Sequence, residues 1–398
     1  MQFDLVFEGG GIRGIVFVGA LREFARRGHT PGRIMGTSAG AITATAVAVG
    51  YDADGMFAAL TERIDGQPVF ARFLGQPQQF DPATVDRSSL RAWLRAADLP
   101  LIPAGLEEAL DDRMVDLLLQ APLFRHLFSL VELGGWFAAD EIVAWMERML
   151  DSGVYRGQPR RFSRATLAEL YAATQVDLTL LATDVTDGRL LVLNHRTAPG
   201  CPVVWAVRMS MSIPFLWQEV VWQPAWGLYR GKEMAGHAVV DGGVLANFPI
   251  ELFITDAAMW TAVMGPKQHS HLIGLLIDDL LPVPGAPPPA AGSRGSGLPQ
   301  LSTLRRINAV VNTMLSARDK AVIEAYERFV VRLPAKGYGV TEFDLDDARR
   351  DALVAAGERT MRDYLDIIEM APPMAQTAPG TVAFTRQADE VAARILGE

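Results

Sequence analysis

The hydrophobic pattern at the start of the chain alternates short apolar runs with amphipathic stretches. Residues 3–8 form an apolar run that predicts a buried strand. Residues 12–28 predict a helix, because their apolar positions recur at i, i+3 and i+4 and a glycine closes the segment. A second strand at 33–37 and a helix of small residues from 38 to 50 repeat this order. Strands that alternate with helices predict an α/β protein.

The pattern changes in the middle of the chain. Residues 66–153 are mostly helical in pattern and predict a helical insertion beside the sheet. Strand patterns then resume at 176–185, 188–195, 237–243 and 270–278. We therefore expect a main domain over residues 1–280 that contains this insertion.

The last third of the chain begins with a segment rich in Pro, Gly, Ala and Ser at 281–299. Such a segment buries too little apolar surface to offset its ordering entropy, so we predict a mobile loop. Helical patterns at 301–330 and 344–369 flank an apolar run at 330–334 that predicts an edge strand. We expect residues 300–398, which close with a loop and one terminal helix, to complete or flank the main domain.

Composition narrows the class of protein. With 398 residues, 49% of them hydrophobic, the chain can bury a large core. Its net charge of −9 disfavours nucleic-acid binding, which needs a basic face. The single cysteine, Cys201, permits no intrachain disulfide and is expected to be a core thiol. The N-terminus shows no cleavable leader pattern, which favours the cytoplasm, and the apolar runs at 41–50 and 272–277 are far shorter than the ~20 residues of a membrane-spanning helix. Any membrane contact is therefore expected to be peripheral.

Two chemistries fit the first glycine loop. Gly9, Gly11 and Gly14 form the spacing G-x-G-x-x-G between a predicted strand and a predicted helix. In dinucleotide-binding folds this spacing lets the backbone approach a pyrophosphate. The same backbone N–H groups can also hold the oxyanion of a tetrahedral intermediate. For the second role, Gly10 and Gly11 are the expected donors, with Gly9 and Arg13 shaping the loop.

A second glycine motif distinguishes between these chemistries. Gly36 and Gly40 flank Ser38 in the pattern G-x-S-x-G, again between a strand and a helix. Small residues at both ends permit the sharp turn that exposes a nucleophilic serine near the positive end of a helix. A dinucleotide site would instead need an acidic residue at the end of this second strand, and the chain has none there. The pattern favours a serine nucleophile over a nucleotide-binding oxidoreductase.

A serine nucleophile needs a base, and the chain offers two kinds. Asp241 ends a predicted strand and is followed by Gly242 and Gly243, which places its carboxylate where α/β active sites gather. Partial burial would raise the pKa of this carboxyl group and make it a better base. His269 and His271 remain the alternative base, as part of a Ser-His-Asp triad.

Together these motifs resemble the patatin-like phospholipase family. GGGIRG at 9–14 resembles its oxyanion loop, GTSAG at 36–40 its nucleophile elbow, and DGG at 241–243 its aspartate turn. The segments VRMSMSIPF at 207–215 and VLANFP at 244–249 add to the resemblance. It implies a three-layer α/β/α fold with a central, mostly parallel sheet, a catalytic domain over 1–280 and a Ser38–Asp241 dyad. It also implies hydrolysis of phospholipids or other fatty acyl esters with neither metal nor cofactor. Acyl transfer by the same groups, or a lipid-degrading effector controlled by a partner, stays open.

Some features carry two interpretations. Trp217, Trp222, Trp226 and Tyr229 lie within thirteen residues and indicate either an acyl-chain wall or membrane contact, or a loop packed by its own aromatic rings. Apolar residues in the helical insertion indicate either a cap over the site or ordinary core; they are Leu117, Leu118, Leu119, Phe124, Leu127 and Phe128. The chain shows no metal-ligand spacing, and the acid pair Asp278 and Asp279 is expected to end a strand at the surface.

Overall fold

The computed structural model of the protein describes residues 1–77, 80–96, 115, 117–255, 258–267, 271–288, 326–370 and 389. Its strands are β1 (Gln2–Phe7), β2 (Thr30–Thr37), β3 (Arg63–Ile64), β4 (Gln67–Pro68), β5 (Gly135–Phe137), β6 (Val154–Tyr155), β7 (Gln158–Pro159), β8 (Leu178–Asp184), β9 (Arg189–Leu193), β10 (Phe215–Trp217), β11 (Val220–Val221), β12 (Ala238–Asp241), β13 (Leu272–Pro282) and β14 (Val330–Lys336). Its α-helices are α1 (Val16–Arg26), α2 (Ala39–Ala48), α3 (Ala53–Leu60), α4 (Val69–Arg72), α5 (Pro82–Asp86), α6 (Ser89–Ala96), α7 (Pro122–Leu133), α8 (Asp140–Asp151), α9 (Leu167–Thr174), α10 (Val203–Ser210), α11 (Glu251–Ile254), α12 (Ala258–Met264) and α13 (Asp347–Met370). Short 3-10 helices span Gly11–Ile15, Pro224–Trp226, Gly242–Val244 and Glu327–Phe329.

The main sheet is mixed but mostly parallel at its centre. Among the described strands, eight join in the order β11-β12-β8-β2-β1-β13-β14, with β9 also paired to β8. Every pairing from β8 through β2, β1 and β13 to β14 is parallel, whereas β9 and β12 run antiparallel to β8. The predicted α/β fold with a central, mostly parallel sheet is therefore confirmed.

Side chains alternate between the two faces of this sheet, and both faces are covered. In β1, Leu5 and Phe7 belong to one buried apolar cluster, and Val6 between them belongs to another. The first cluster continues into α1, α2 and α13, and the second continues into α11 and α12. Helices on both faces of a parallel sheet explain why its central strands are apolar at nearly every position, and they give the fold its three layers.

The described C-terminal elements extend the sheet. β14 pairs with β13 at the end of the sheet, as the predicted edge strand at 330–334 requires, and α13 matches the predicted helix at 344–369. β13 runs through Asp278, which is buried and paired with Arg332 at 2.5 Å, so the prediction that Asp278 ends a strand at the surface is wrong. The predicted helix at 301–330 and the terminal helix lie almost entirely outside the described residues.

The insertion is mostly helical where it is described, with β4 and β5 as short strands, and its apolar residues divide between core and surface. The inner face of α8 contributes to the main core, while Phe128 of α7 packs with Val85 and Val115 in a small separate cluster. Leu117 and Leu127 are exposed. The predicted strip of apolar residues is thus partly core and partly surface.

The aromatic segment after β10 is buried. Trp217, Trp222, Trp226 and Tyr229 are each less than a tenth exposed, and Cys201 is buried as well. Trp222 and Trp226 pack edge to face with ring centroids 5.6 Å apart. The hypothesis that Trp222 and Trp226 contact a membrane is wrong, because the loop is packed by its own rings. Within the described ranges, no helix is both long and apolar enough to cross a membrane.

Candidate active site

The predicted nucleophile and the predicted base meet because two strands end against the same edge of β8. β2 runs parallel to β8 and ends with Thr37 opposite Leu181. β12 runs antiparallel to β8 and ends with Asp241 opposite Ala182. Since β9 occupies the other edge of β8 at both positions, β2 and β12 share one edge and approach each other end to end. Ser38 and Asp241 therefore come together at this junction.

The turn that carries Ser38 is tight. Ser38 has φ 54° and ψ −119°, a backbone conformation that side-chain-bearing residues rarely adopt. A Cβ atom at Gly36 would lie 2.1 Å from the carbonyl oxygen of Gly40, and one at Gly40 would lie 2.3 Å from that of Phe7. The sharp turn thus requires glycine at both ends of the motif, as a nucleophile elbow does.

Ser38 lies at the N-terminal end of α2, where the helix dipole favours negative charge. Its backbone N–H donates a 3.0 Å hydrogen bond to Ser210 Oγ, a side chain that is itself buried. Only 6% of Ser38 is exposed. The serine is therefore held by a buried hydrogen bond rather than displayed on an open surface.

Asp241 is fully buried, and this burial determines its acid–base character. Burial raises the pKa of its carboxyl group to about 7, while the hydrogen bond from Gly243 and the contact with the Ser38 side chain each lower it. Gly243 N–H donates to Asp241 Oδ1 at 2.7 Å. Asp241 Oδ2 is buried and has no hydrogen-bond partner of regular geometry among the described residues. One carboxyl oxygen is thus fixed by the turn, and the other is available to accept a proton.

One short segment binds the backbone of both residues. Ser210 Oγ accepts the Ser38 N–H, and two residues further on the carbonyl oxygen of Ser212 accepts the Asp241 N–H at 2.9 Å. The Arg208 side chain donates to Ser212 Oγ, and Ser212 Oγ donates to the Arg208 carbonyl oxygen at 2.6 Å. The end of α10 therefore positions the two strand ends relative to each other.

The first glycine loop packs directly against this junction. A Cβ at Gly9 would lie 3.0 Å from Ser38 Cβ, and one at Gly14 would lie 2.8 Å from Ala39 Cβ, so the two glycine motifs are in contact. Arg13 Nε donates to the Gly10 carbonyl oxygen at 3.2 Å. The N–H groups of Gly10 and Gly11 form no hydrogen bond with a described residue, which leaves them as candidate donors for an oxyanion.

Two buried polar side chains support the loop from behind. Asn247 Nδ2 donates to the Gly9 carbonyl oxygen and to Glu8 Oε1, both at 3.1 Å. Glu8 Oε2 accepts the backbone N–H of Ile277 at 2.5 Å. Asn247, four residues after the DGG turn, and Glu8, immediately before the glycine loop, thereby tie the loop to β13.

No hydrogen bond joins Ser38 to a histidine that the structure describes. His271 immediately precedes β13 and packs on Phe3 with ring centroids 5.2 Å apart. It therefore lies at the N-terminal edge of the parallel strands, opposite the edge at which Ser38 follows β2. This placement argues against His271 as the base, and His269 lies outside the described residues.

One group of potential metal ligands occurs in the described part of the chain, away from Ser38. The ligand atoms of Asp184, Asp187 and His237 lie within 4.8 Å of one another. Arg189 pairs with Asp184 at 3.1 Å and with Asp187 at 3.3 Å, and His237 bonds the same Asp184 oxygen at 3.0 Å. Arg189 thus pairs with both carboxylates and His237 bonds one of them, so the three acidic and histidine side chains are already held in a cluster of ion pairs and hydrogen bonds.

A strained serine elbow that faces a buried strand-end aspartate, with a glycine loop beside both, is the arrangement that a serine hydrolase on an α/β sheet needs. The chain belongs to the patatin-like phospholipase family, whose model matches residues 5–254. The predicted family is thereby confirmed, and membership supports lipid hydrolysis as the activity.

Individual relatives extend this comparison. The chain is 26% identical to the uncharacterized protein YqhO of Bacillus subtilis (strain 168) over 376 residues, which cover 92% of this chain and 98% of YqhO. Among solved structures it is similar to VipD from Legionella pneumophila, with a TM-score of 0.45 and 15% identity over 92% of this chain and 67% of VipD. It is also similar to the type III effector ExoU of Pseudomonas aeruginosa, with a TM-score of 0.40 and 16% identity, and it spans 61% of ExoU.

Sequence reasoning found the two glycine motifs and Asp241 but assigned no role to their supports. Ser210, Ser212 and Asn247 stand in the segments 207–215 and 244–249, to which the sequence points only through family resemblance. Their contacts cross the sheet, so no local spacing indicates them. The roles of the predicted site residues themselves stay predictions.

Proposed function

We propose that the protein is a serine lipid acyl hydrolase that cleaves fatty acyl esters through a Ser38–Asp241 dyad. The observation that carries this proposal is the end-to-end approach of β2 and β12, which brings an elbow serine to a buried carboxyl group. A pKa of about 7 lets this carboxylate act as a base near neutral pH, where an ordinary aspartate is too weak.

The proposed reaction has two steps. In the first, Asp241 Oδ2 accepts the Ser38 proton while Ser38 Oγ attacks the ester carbonyl carbon; the proton then passes to the leaving alcohol or lysolipid. In the second, Asp241 accepts a proton from water, whose oxygen attacks the acyl carbon. The bond between the acyl carbon and Ser38 Oγ then breaks, the proton returns from Asp241 to Ser38 Oγ, and the fatty acid is released. The N–H groups of Gly10 and Gly11 stabilise the oxyanion in both steps. An acceptor alcohol in place of water would turn the same groups into an acyltransferase.

The proposed substrate is a phospholipid or another fatty acyl ester, which follows from family membership. Such substrates are presented at lipid surfaces, so we further propose that the protein contacts membranes peripherally. Its exposed apolar side chains include Leu123, Leu127 and Val131, spaced four residues apart on α7. This face replaces the buried tryptophans as the candidate contact.

The function is tested by measuring fatty-acid release from phospholipid vesicles and from short p-nitrophenyl esters. We expect Ser38→Ala and Asp241→Asn each to lower the rate by about 10³-fold or more, as loss of a nucleophile or its base does. Ser152→Ala and Asp363→Asn are matched controls, since both residues are exposed and remote from the junction. A Ser38→Ala protein that kept the wild-type rate would contradict the proposal.

A further inference from the structure

A cavity of about 320 Å³ lies beside the α10 segment that binds the dyad, with neither Ser38 nor Asp241 in its wall. Its wall combines aromatic, acidic and basic side chains, notably Trp205, Trp226, Asp140, Glu219, Arg208 and Gln218. A cavity of this volume falls at the small end of ligand sites. Its charged and aromatic lining is unsuited to an acyl chain but suits a small charged group.

The aromatic part of the wall is a pair of indole rings. Trp205 and Trp226 lie with ring centroids 5.5 Å apart and planes tilted by 32°. Trp226 is buried and fixed against Trp222, while Trp205 is only half-buried. Indole faces attract cations, and quaternary ammonium groups above all, because such groups are poorly hydrated.

The acidic part of the wall consists of Asp140 and Glu219. Neither carboxylate, Asp140 nor Glu219, forms an ion pair or a side-chain hydrogen bond within the described ranges. Glu219 is half-buried, and this burial raises the pKa of its carboxyl group. A positively charged guest between the two carboxylates would relieve this cost.

The basic part of the wall is Arg208, only 4% exposed. Its Nη2 donates to the Gln218 carbonyl oxygen at 2.6 Å, and its Nη1 donates to Ser212 Oγ. Arg208 forms no ion pair with a described residue. Burial lowers the pKa of Arg208 to about 10, which the charge of Asp140 partly offsets. A buried guanidinium that forms no ion pair with a described carboxylate is suited to an anionic oxygen such as that of a phosphate.

We propose that this cavity binds phosphocholine-type zwitterions, with the quaternary ammonium group at Trp205, Trp226 and the two carboxylates and the phosphate toward Arg208. The same group occurs in a lipid head group and in free phosphocholine. That the source is the lipid substrate rests on the proposed function. Arg208 bonds Ser212, whose carbonyl oxygen holds the Asp241 N–H, so an occupied cavity would place a head group one short segment from the dyad.

The binding test does not depend on catalysis. Isothermal titration of Ser38→Ala protein with phosphocholine should show saturable binding, and Trp205→Ala or Glu219→Gln should weaken it by about ten-fold or more. Glu219→Gln keeps the side-chain shape and guards against misfolding. Trp93→Ala is the matched control, because Trp93 is 66% exposed and not part of this cavity. No binding by the parent protein, or unweakened binding by both cavity variants, would overturn the proposal.

The source of the group is decided on vesicles. If the cavity takes the lipid head group, the ratio of fatty-acid release from phosphatidylcholine to that from phosphatidylglycerol should fall about five-fold or more in Glu219→Gln. If the parent protein binds phosphocholine but Glu219→Gln leaves this ratio unchanged, the cavity takes the free zwitterion and the lipid source is overturned. If no vesicle is hydrolysed at all, the proposed function fails, while the titration still decides whether the cavity binds phosphocholine.

Discussion

At the scale of single residues, the protonation state of Asp241 affects the stability of the fold and the activity in opposite directions. A carboxyl group in a fully buried position is stable when protonated, whereas a general base must be ionised. Its pKa of about 7 is the compromise between these demands. The hydrogen bond from Gly243 favours the ionised form and keeps the pKa from rising further.

This compromise predicts opposite pH trends for activity and stability. Hydrolysis of a soluble p-nitrophenyl ester should rise with pH around a midpoint near 7, because only ionised Asp241 accepts the Ser38 proton. Between about pH 4 and 7 the folded protein binds one more proton than the unfolded chain, so the contribution of Asp241 to the free energy of unfolding falls as pH rises.

Asp241→Asn should remove that trend. We expect the variant to be the more stable protein above about pH 4, and its advantage in the free energy of unfolding to be roughly 2–3 kcal/mol larger near pH 8.5 than near pH 5. Urea unfolding of both proteins at the two pH values measures the difference. The same stability difference at both values would show that Asp241 does not titrate in this range.

The sequence alone predicts the positions of some residues of the candidate site but not of others. Ser38 and Asp241 stand in short local motifs, because the turn itself demands glycine neighbours, as Gly36 and Gly40 show. Ser210 and Asn247 support the site through contacts 172 and 238 residues away along the chain. Only the fold brings such partners together, so no pattern of spacing reveals them.

At the scale of elements, the strand-to-helix turn between β2 and α2 is the most tightly constrained connection. Gly36→Ala would force a methyl group into the Gly40 carbonyl oxygen, 2.1 Å away, and only a shift of the backbone can relieve that contact. We expect a loss of about 2 kcal/mol or more in the free energy of unfolding, together with lost activity.

The matched control for this turn is Gly75→Ala. Its added methyl group would meet its nearest atom at 3.5 Å, an ordinary contact distance. Thermal unfolding of both variants compares the two sites. Equally small losses of stability in Gly36→Ala and Gly75→Ala would contradict the tight packing of the turn between β2 and α2.

Element prediction succeeded where periodicity was clear and failed where burial depends on the fold. The strands around both glycine motifs and the helix near 344–369 were correctly predicted from apolar spacing. Trp222 and Trp226 suggested a membrane contact but are buried, because a dense aromatic segment looks the same whether it packs inward or outward. Asp278 was placed at the surface but is buried in β13 by its pairing with Arg332.

At the scale of the whole molecule, helix α7 exposes apolar side chains to solvent. The residues it exposes are Pro122, Leu123, Leu127 and Val131, all apolar, and Val131 is 67% exposed. On its inner side Ser129 Oγ accepts a hydrogen bond from Gln218, whose carbonyl oxygen binds Arg208. Helix α7, which carries the apolar face, is therefore connected through hydrogen bonds of its inner side to the segment that holds the dyad.

We expect the double variant Leu127→Asp, Val131→Asp to lower cosedimentation with phospholipid vesicles about five-fold or more, because a charged side chain is costly to bury among lipids. Ile367→Asp is the matched control, since Ile367 is 71% exposed on α13, a different helix. Circular dichroism checks that all three proteins fold. Undiminished cosedimentation of the double variant would remove α7 as the contact.

Covalent labelling shows whether Ser38 is the nucleophile activated at the junction of β2 and β12. Intact-mass spectrometry after reaction with a serine-directed fluorophosphonate should show one adduct, mapped to Ser38 by peptide analysis. The adduct should be absent from Ser38→Ala and should form much more slowly in Asp241→Asn. An unlabelled wild-type protein, or an adduct on another residue, would contradict the assignment of Ser38 as the nucleophile.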